Sequence, residues 1–337
     1  MGPVPRWVVA VAGVAVIVIA ADVGVFLAAR GSAAKASSPG GSVAMIDPAG
    51  ERVVARTEVG VEPTLVAAGY GGVWVLNKAD GTVTRLDPHT GRRVSTLEPD
   101  AAVNTMALGA GGLWFAGPPR GVSAPLEDAK LERINPATGK VDRKFDTTIG
   151  ATVVAAGAQA LWSTGYLGSS IRGAARSSAL TGAMRRLDIS IYGDLVTAGD
   201  TAVYYVGSLS KRIARLSAQT GLVTNSLTLA TDASLAAGLV PPDPTGVVAG
   251  GDSVWISESD GTVLRIDPRL SGIKASIQAC KNALAVAYGE GAVWVACGNG
   301  TVVRIDPATD RPSGIVPVGR LPRGIAAGEG AVWVTLN

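Results

Sequence analysis

Three observations predict an all-β chain closing into a seven-bladed β-propeller. An aromatic recurs seven times at a near-constant interval, each interval holds four short apolar runs, and the two ends of the repeat carry complementary halves of one unit. The aromatics are Trp74, Trp114, Trp162, Tyr204, Trp255, Trp294 and Trp333, spaced by 40, 48, 42, 51, 39 and 39 residues. Around them the unit reads A-x-G-x-G-A-V-W-V, then G-T-V-x-R-I-D-P-x-T-G, then a further apolar run.

In the first unit the runs are residues 64–68, 72–76, 82–86 and 93–97, each of ordinary strand length. The third and fourth runs are joined by Asp87-Pro88-His89-Thr90-Gly91, and later units repeat this as Asn135-Pro136-Ala137-Thr138-Gly139 and Asp306-Pro307-Ala308-Thr309-Asp310. An Asx-Pro opening with Gly where φ must be positive specifies a tight hairpin. Residues 42–59 contain only a third and a fourth strand, and residues 323–337 only a first and a second. Six whole units plus these halves predict seven blades, the last closed by both ends of the repeat. Closure removes the free edges of an open stack.

The expected organisation is therefore a propeller over 42–337, preceded by a small, polar tether over 31–41 (GSAAKASSPGG) and an apolar segment within 1–30. Residues 7–29 are interrupted by one charge, Asp22, and are long enough to span a bilayer as a helix. The six-residue head and large following domain favour a signal anchor with the propeller outside the cytoplasm, single-pass in the cell membrane. The alternative is a cleaved signal peptide and a secreted propeller. Asp22 fits that alternative, because a charge at a helix centre costs roughly 2.5–3.5 kcal/mol on insertion scales.

The V-W-V strand and R-I-D-P-x-T-G turn, recurring over 42–337, resemble the streptogramin (virginiamycin B) lyase-like and YVTN-type propeller repeats. The resemblance implies the fold far more than an activity, since one propeller scaffold hosts many functions. The lyase family's elimination chemistry relies on histidine near a metal, and this chain has one histidine, His89, in a predicted outer-rim turn. A general base would have to be a carboxylate such as Asp194 or Glu258. Quinone-cofactor dehydrogenase and gluconolactonase-like propellers carry tryptophan or carboxylate patterns that are not recognisable here.

Composition narrows the functions further. Thirty basic against 27 acidic residues give a net charge of +3, and residues 42–337 carry only +1 of it. Such a balance offers no field for nucleic acid. One histidine and two cysteines exclude a His- or Cys-rich metal site, and no cofactor is expected. The third-strand arginines Arg85, Arg133, Arg176, Arg215, Arg265 and Arg304 are expected to pair along their own strand, Arg85 with Asp87 and Arg304 with Asp306. The recurring tryptophan is expected between blades. The hairpin turn at 289–291 brings Cys280 close to register with Cys297, and an exported compartment then predicts a disulfide.

Two interruptions of the repeat, residues 117–130 and 230–244, insert eight and eleven residues. Loops between second and third strands and links between units leave a propeller on the same face. The residues ten before each aromatic, Thr64, Asn104, Thr152, Asp194, Thr245, Leu284 and Arg323, begin the innermost strands and should ring the channel mouth on that face. All but Leu284 are polar, and they are the candidate ligand-binding residues. The leading expectation is a membrane-tethered, non-enzymatic module binding a protein, glycan or small polar ligand on the insertion-bearing face. The runner-up is a lyase- or hydrolase-type enzyme.

Overall fold

In the computed structural model, the described residues are 40–118, 129–147, 150–167, 171–189, 191, 193–230 and 241–337. The expected membrane span, nearly all of the tether, and residues 119–128 and 231–240 of the two insertions lie outside them. The described residues form no helix; they build seven four-stranded antiparallel sheets. The first comprises β3 (Pro63–Ala68), β4 (Val73–Asn77), β5 (Thr82–Leu86) and β6 (Arg93–Leu97), paired in that order. These bounds lie within a residue of those read from the repeat.

The closing sheet runs β2-β1-β28-β27, with β1 (Ser42–Asp47) and β2 (Arg52–Glu58) from one end of the repeat. The strands β27 (Pro322–Gly328) and β28 (Ala331–Leu336) come from the other end. Met45 lies opposite Trp333 in the β1–β28 pair. The seven blades and the two-plus-two closure are as expected from the sequence.

The first strand of each blade is innermost: β3, β7 (Thr105–Gly109), β11 (Gly150–Gly157), β15 (Leu195–Ala198), β19 (Pro244–Gly250), β23 (Ala283–Gly289) and β27. Each packs against the next around the ring, β27 against β3 included. Burial decides which runs are continuously apolar. Second strands have neighbouring blades on both faces, so Val73–Asn77 and Ala331–Leu336 are buried at every position. Fourth strands face solvent on the outside, and Arg52–Glu58 alternates between exposed and half-buried.

The repeat motifs acquire direct physical roles. Every described tryptophan is fully buried, and in five blades its Nε1–H donates to the carbonyl of the glycine five residues earlier: Trp114 to Gly109, Trp162 to Gly157, Trp255 to Gly250, Trp294 to Gly289 and Trp333 to Gly328, at 3.1–3.4 Å. The first glycine of G-x-G-A-V-W is thus the acceptor for its own tryptophan.

The arginine expectation needs correction. Trp74 faces Arg85 across β4–β5, Trp162 faces Arg176 and Trp255 faces Arg265, so each guanidinium lies over an indole rather than along its own strand toward the aspartate. The Arg265 guanidinium carbon is 5.1 Å from the Trp255 ring centroid. Its Nη1 donates to Asp310 of the next blade at 2.8 Å, and Arg304 meets Glu51 of the closing blade. Asp87 instead caps its own turn, accepting from the His89 and Thr90 N–H groups at 3.0 and 2.8 Å. The Thr90 N–H is the main cause holding the Asp87 carboxyl below its ordinary value. Gly91 closes that turn at φ +68°, and Asp310 adopts φ 56° in the glycine's place.

Candidate functional site

Antiparallel pairing puts the start of each first strand beside the end of each second strand, as Pro63 opposite Asn77. Links between blades and loops between second and third strands therefore share one face, the mouth face. Both insertions depart from it: Gly117 and Lys130, which flank one, are partners in the sheet, and Pro244, which follows the other, lies opposite Glu258. Cys280 and Cys297 lie on the same face and are bonded, with Cα atoms 6.3 Å apart, as the register predicted.

The ring positions take up a recurrent backbone feature. The β3–β4 register shifts between Pro63 and Leu65, so Thr64 is the extra residue of a β-bulge. Thr152, Thr245 and Leu284 are bulged in the same way, and Arg323 and Gly324 share the shift in β27. Asn104 and Asp194 just precede their strands and still donate N–H bonds to Ala116 and Val206 at 3.0 and 2.8 Å. A bulge bends a strand end and re-aims its side chain, and bulges gather at rims and sites for that reason. Thr64, Thr152, Asp194, Thr245 and Arg323 are half-buried, whereas Asn104 is exposed.

Their side chains divide into two groups. Thr152 Oγ1 donates to the Thr164 carbonyl at 3.3 Å, and Thr245 Oγ1 is 2.9 Å from Ser257 Oγ. Asp194 Oδ2 accepts the Ser208 N–H at 3.0 Å and so ties the start of its strand to the neighbouring loop. These three hold structure as well as lining the mouth. Among the described residues, Thr64, Asn104 and Arg323 find no side-chain hydrogen-bond partner.

Buried polar groups border the same face. Glu258, three residues after Trp255, is 3% exposed, and its Oε1 has no partner. Burial is the main cause pushing its carboxyl up to about 8; Asp260 adds to the shift and Lys211 opposes it. Asn77 holds the same position in the first blade, donating to Thr82 and Thr84 while its Oδ1 stays unpartnered. Lys211 is committed to Asp243 and the Pro242 carbonyl.

Glu132 is fully buried beside the link between the first two blades, with Oε2 accepting the Asp100 N–H at 3.2 Å. Sequence reasoning missed it, although a signal existed. The corresponding positions, just before the third-strand arginine, hold Thr84, Ala175, Ala214, Leu264 and Val303, none of them charged.

His89 is exposed in its turn on the opposite face, away from the ring. Among the described residues no three His, Cys, Asp or Glu side chains come together in a metal-holding group.

No family model and no curated protein matches the chain. Among solved structures it is similar to the β-propeller domain of Cps50 (Swd1) from Myceliophteria thermophila, at 11% identity and a TM-score of 0.60, over 83% of this chain and 97% of that one. It is also similar to BamB from Moraxella catarrhalis, at 11% identity and a TM-score of 0.51, over 81% and 96%. At such identity the likeness concerns the propeller fold.

Proposed function

We propose that the chain is a membrane-tethered, extracytoplasmic propeller whose mouth face binds a partner or polar ligand without chemistry. The observation that carries this reading is convergence. The bulged polar ring, the flanks of both insertions and the disulfide all stand on one face, while the turns of the opposite face stay short. Binding residues concentrate on loops held by a rigid scaffold. A protein partner is the reading most in keeping with insertions at two separate places on the rim of that face. Removing residues 119–128 and 231–240 together from the full chain, then comparing what is recovered from membranes, tests it: capture should fall while thermal stability is kept. Equal capture by both forms overturns it.

One observation favours a second reading, the lyase- or hydrolase-type enzyme that the repeat resemblance brings to mind. A mouth-side carboxyl still protonated near neutrality, as at Glu258, is suited to donate a proton. In that reading Glu258→Gln abolishes turnover of a ligand and leaves its binding intact.

A further inference from the structure

Among the described half-buried arginines, one at the mouth meets no side-chain partner on the protein. Eight half-buried arginines have described side chains. Seven have at least one protein partner, although the Nε atoms of Arg133, Arg176, Arg215 and Arg304 lack an acceptor. Arg85, Arg176, Arg265 and Arg304 lie over indole rings. Arg133 pairs with Asp142, Arg143 donates to the Ala179 and Leu180 carbonyls, and Arg215 donates to Thr224. The eighth is Arg323, at the bulged start of β27. Among the described residues it alone of the eight meets no ion pair, hydrogen bond or ring, and its Nε, like those of four of the others, lacks an acceptor.

Charges of both signs stand on the mouth face around it. From residue 261 onward the acids are Asp267, Glu290, Asp306, Asp310 and Glu329, and all five stand at turns on the opposite face. On the mouth face the same stretch contributes Lys281, Arg320 and Arg323, the first two exposed in links between blades. Carboxylates share the mouth face, with Glu58 and Glu62 at the closing blade and its link, Asp80 bonded to that link, Asp260 in the loop against Lys281, and Asp146, Asp194 and Asp243 farther round. Counted around the seven blades, Asp194 and Arg323 are three steps apart one way and four the other, so they face each other across the ring.

We propose that Arg323 is an oxyanion subsite that takes a carboxylate or phosphate group of the ligand. This deepens the mouth-face reading and rests on it. The planar fork of Nε–H and Nη–H donors matches two oxygens of either group, which a lysine ammonium cannot do. The register shift in β27 sets Arg323 at the rim and re-aims its donors there.

The test uses the detergent-solubilised full chain, titrated calorimetrically with citrate and with inorganic phosphate, with glucose as the neutral control. Saturable binding of either anion is expected, weakened at least tenfold by Arg323→Gln and only partly restored by Arg323→Lys. Arg311→Gln, on the outer strand of its blade, should change nothing. Binding of citrate alone assigns a carboxylate ligand, and of phosphate alone a phosphorylated one. The proposal is overturned if neither anion binds the wild-type chain, or if the Gln variant binds as tightly. If removing the insertions abolishes partner capture while Arg323→Gln leaves capture and anion binding untouched, the subsite fails and the mouth-face reading stands. If Arg323→Gln weakens anion binding but removing the insertions does not alter capture, the reverse holds.

Discussion

Glu329 Oε1 accepts the backbone N–H of Gly71 at 3.0 Å, joining the closing blade to the first across 258 residues of sequence. Glu290 makes the same contact one blade earlier, to the N–H of Gly330 at 3.1 Å. Both glutamates occupy the G-x-G turn between first and second strands and take positive φ, 58° and 50°. The closing blade is therefore fastened to both neighbours by a carboxylate on a turn N–H, in addition to its β1–β28 pairing.

Glu329→Ala should cost about 1 kcal/mol, the usual net worth of one hydrogen bond. The Glu290→Ala effect should add to it, because the two contacts share no group. Urea unfolding midpoints of the single and double variants measure this. Deleting residues 323–337 should do far more, exposing sheet edges on β1 and in the inner ring. That form is expected to lose the cooperative transition.

The Cys280–Cys297 bond closes a loop of 17 residues. In the chain-entropy account it contributes about 3 kcal/mol. Cys280→Ser/Cys297→Ser should lower the unfolding free energy by that order without altering the fold. Alkylating the denatured, unreduced wild-type protein should label no thiol.

Glu258 gives a pH dependence with a definite sign. Its folded-state pKa is raised from the ordinary 4.5 to about 8, so between those values the folded protein keeps a proton that the unfolded chain has lost. Stability supplied by the buried neutral carboxyl is full below about 4.5 and falls as pH rises toward about 8, by at most about 1.4 kcal/mol per unit. Glu258→Gln should flatten that slope and raise stability at pH 8. Denaturation midpoints across pH 5–8 decide the matter.

Arg265 should be the costliest of the recurring arginines to remove. It stacks on Trp255 and also donates to Ser253, the Pro307 carbonyl and Asp310. Arg265→Ala should cost about 2–3 kcal/mol, because charged hydrogen bonds are lost together. Arg176→Ala should cost about 1 kcal/mol, having only the Trp162 face to lose. Thermal melts of the two variants test the order.

The fold was legible because every level of the sequence repeats it: the aromatic, the glycine that accepts its indole N–H, and the Asx-Pro turn all recur. The blade count followed from Met45 and Trp333 belonging to complementary half-units. The mouth ring was legible as positions, since counting back from the aromatic reaches the bulges. Its chemistry was not. No strand pattern shows that Thr245 bonds to Ser257 or that Asp194 holds the Ser208 N–H, because those partners are set by pairing between strands. The arginines misled for the same reason. Arg-x-Asp looks like a local pair on one strand face, yet the indole opposite captures the guanidinium and the aspartate turns to its own hairpin.

The central claim is that this propeller works by binding at its mouth. The direct measurement is recovery of ligand or partner from membranes by the full chain carrying Asp194→Asn/Arg323→Gln, against the chain carrying His89→Ala, with melting temperatures recorded for both. Asparagine is chosen because its carbonyl can still accept the Ser208 N–H. The account predicts recovery lowered at least tenfold by the mouth pair, unchanged by His89→Ala, and folding kept in each. Full recovery with the mouth pair and loss with His89→Ala would contradict it and move the active surface to the opposite rim.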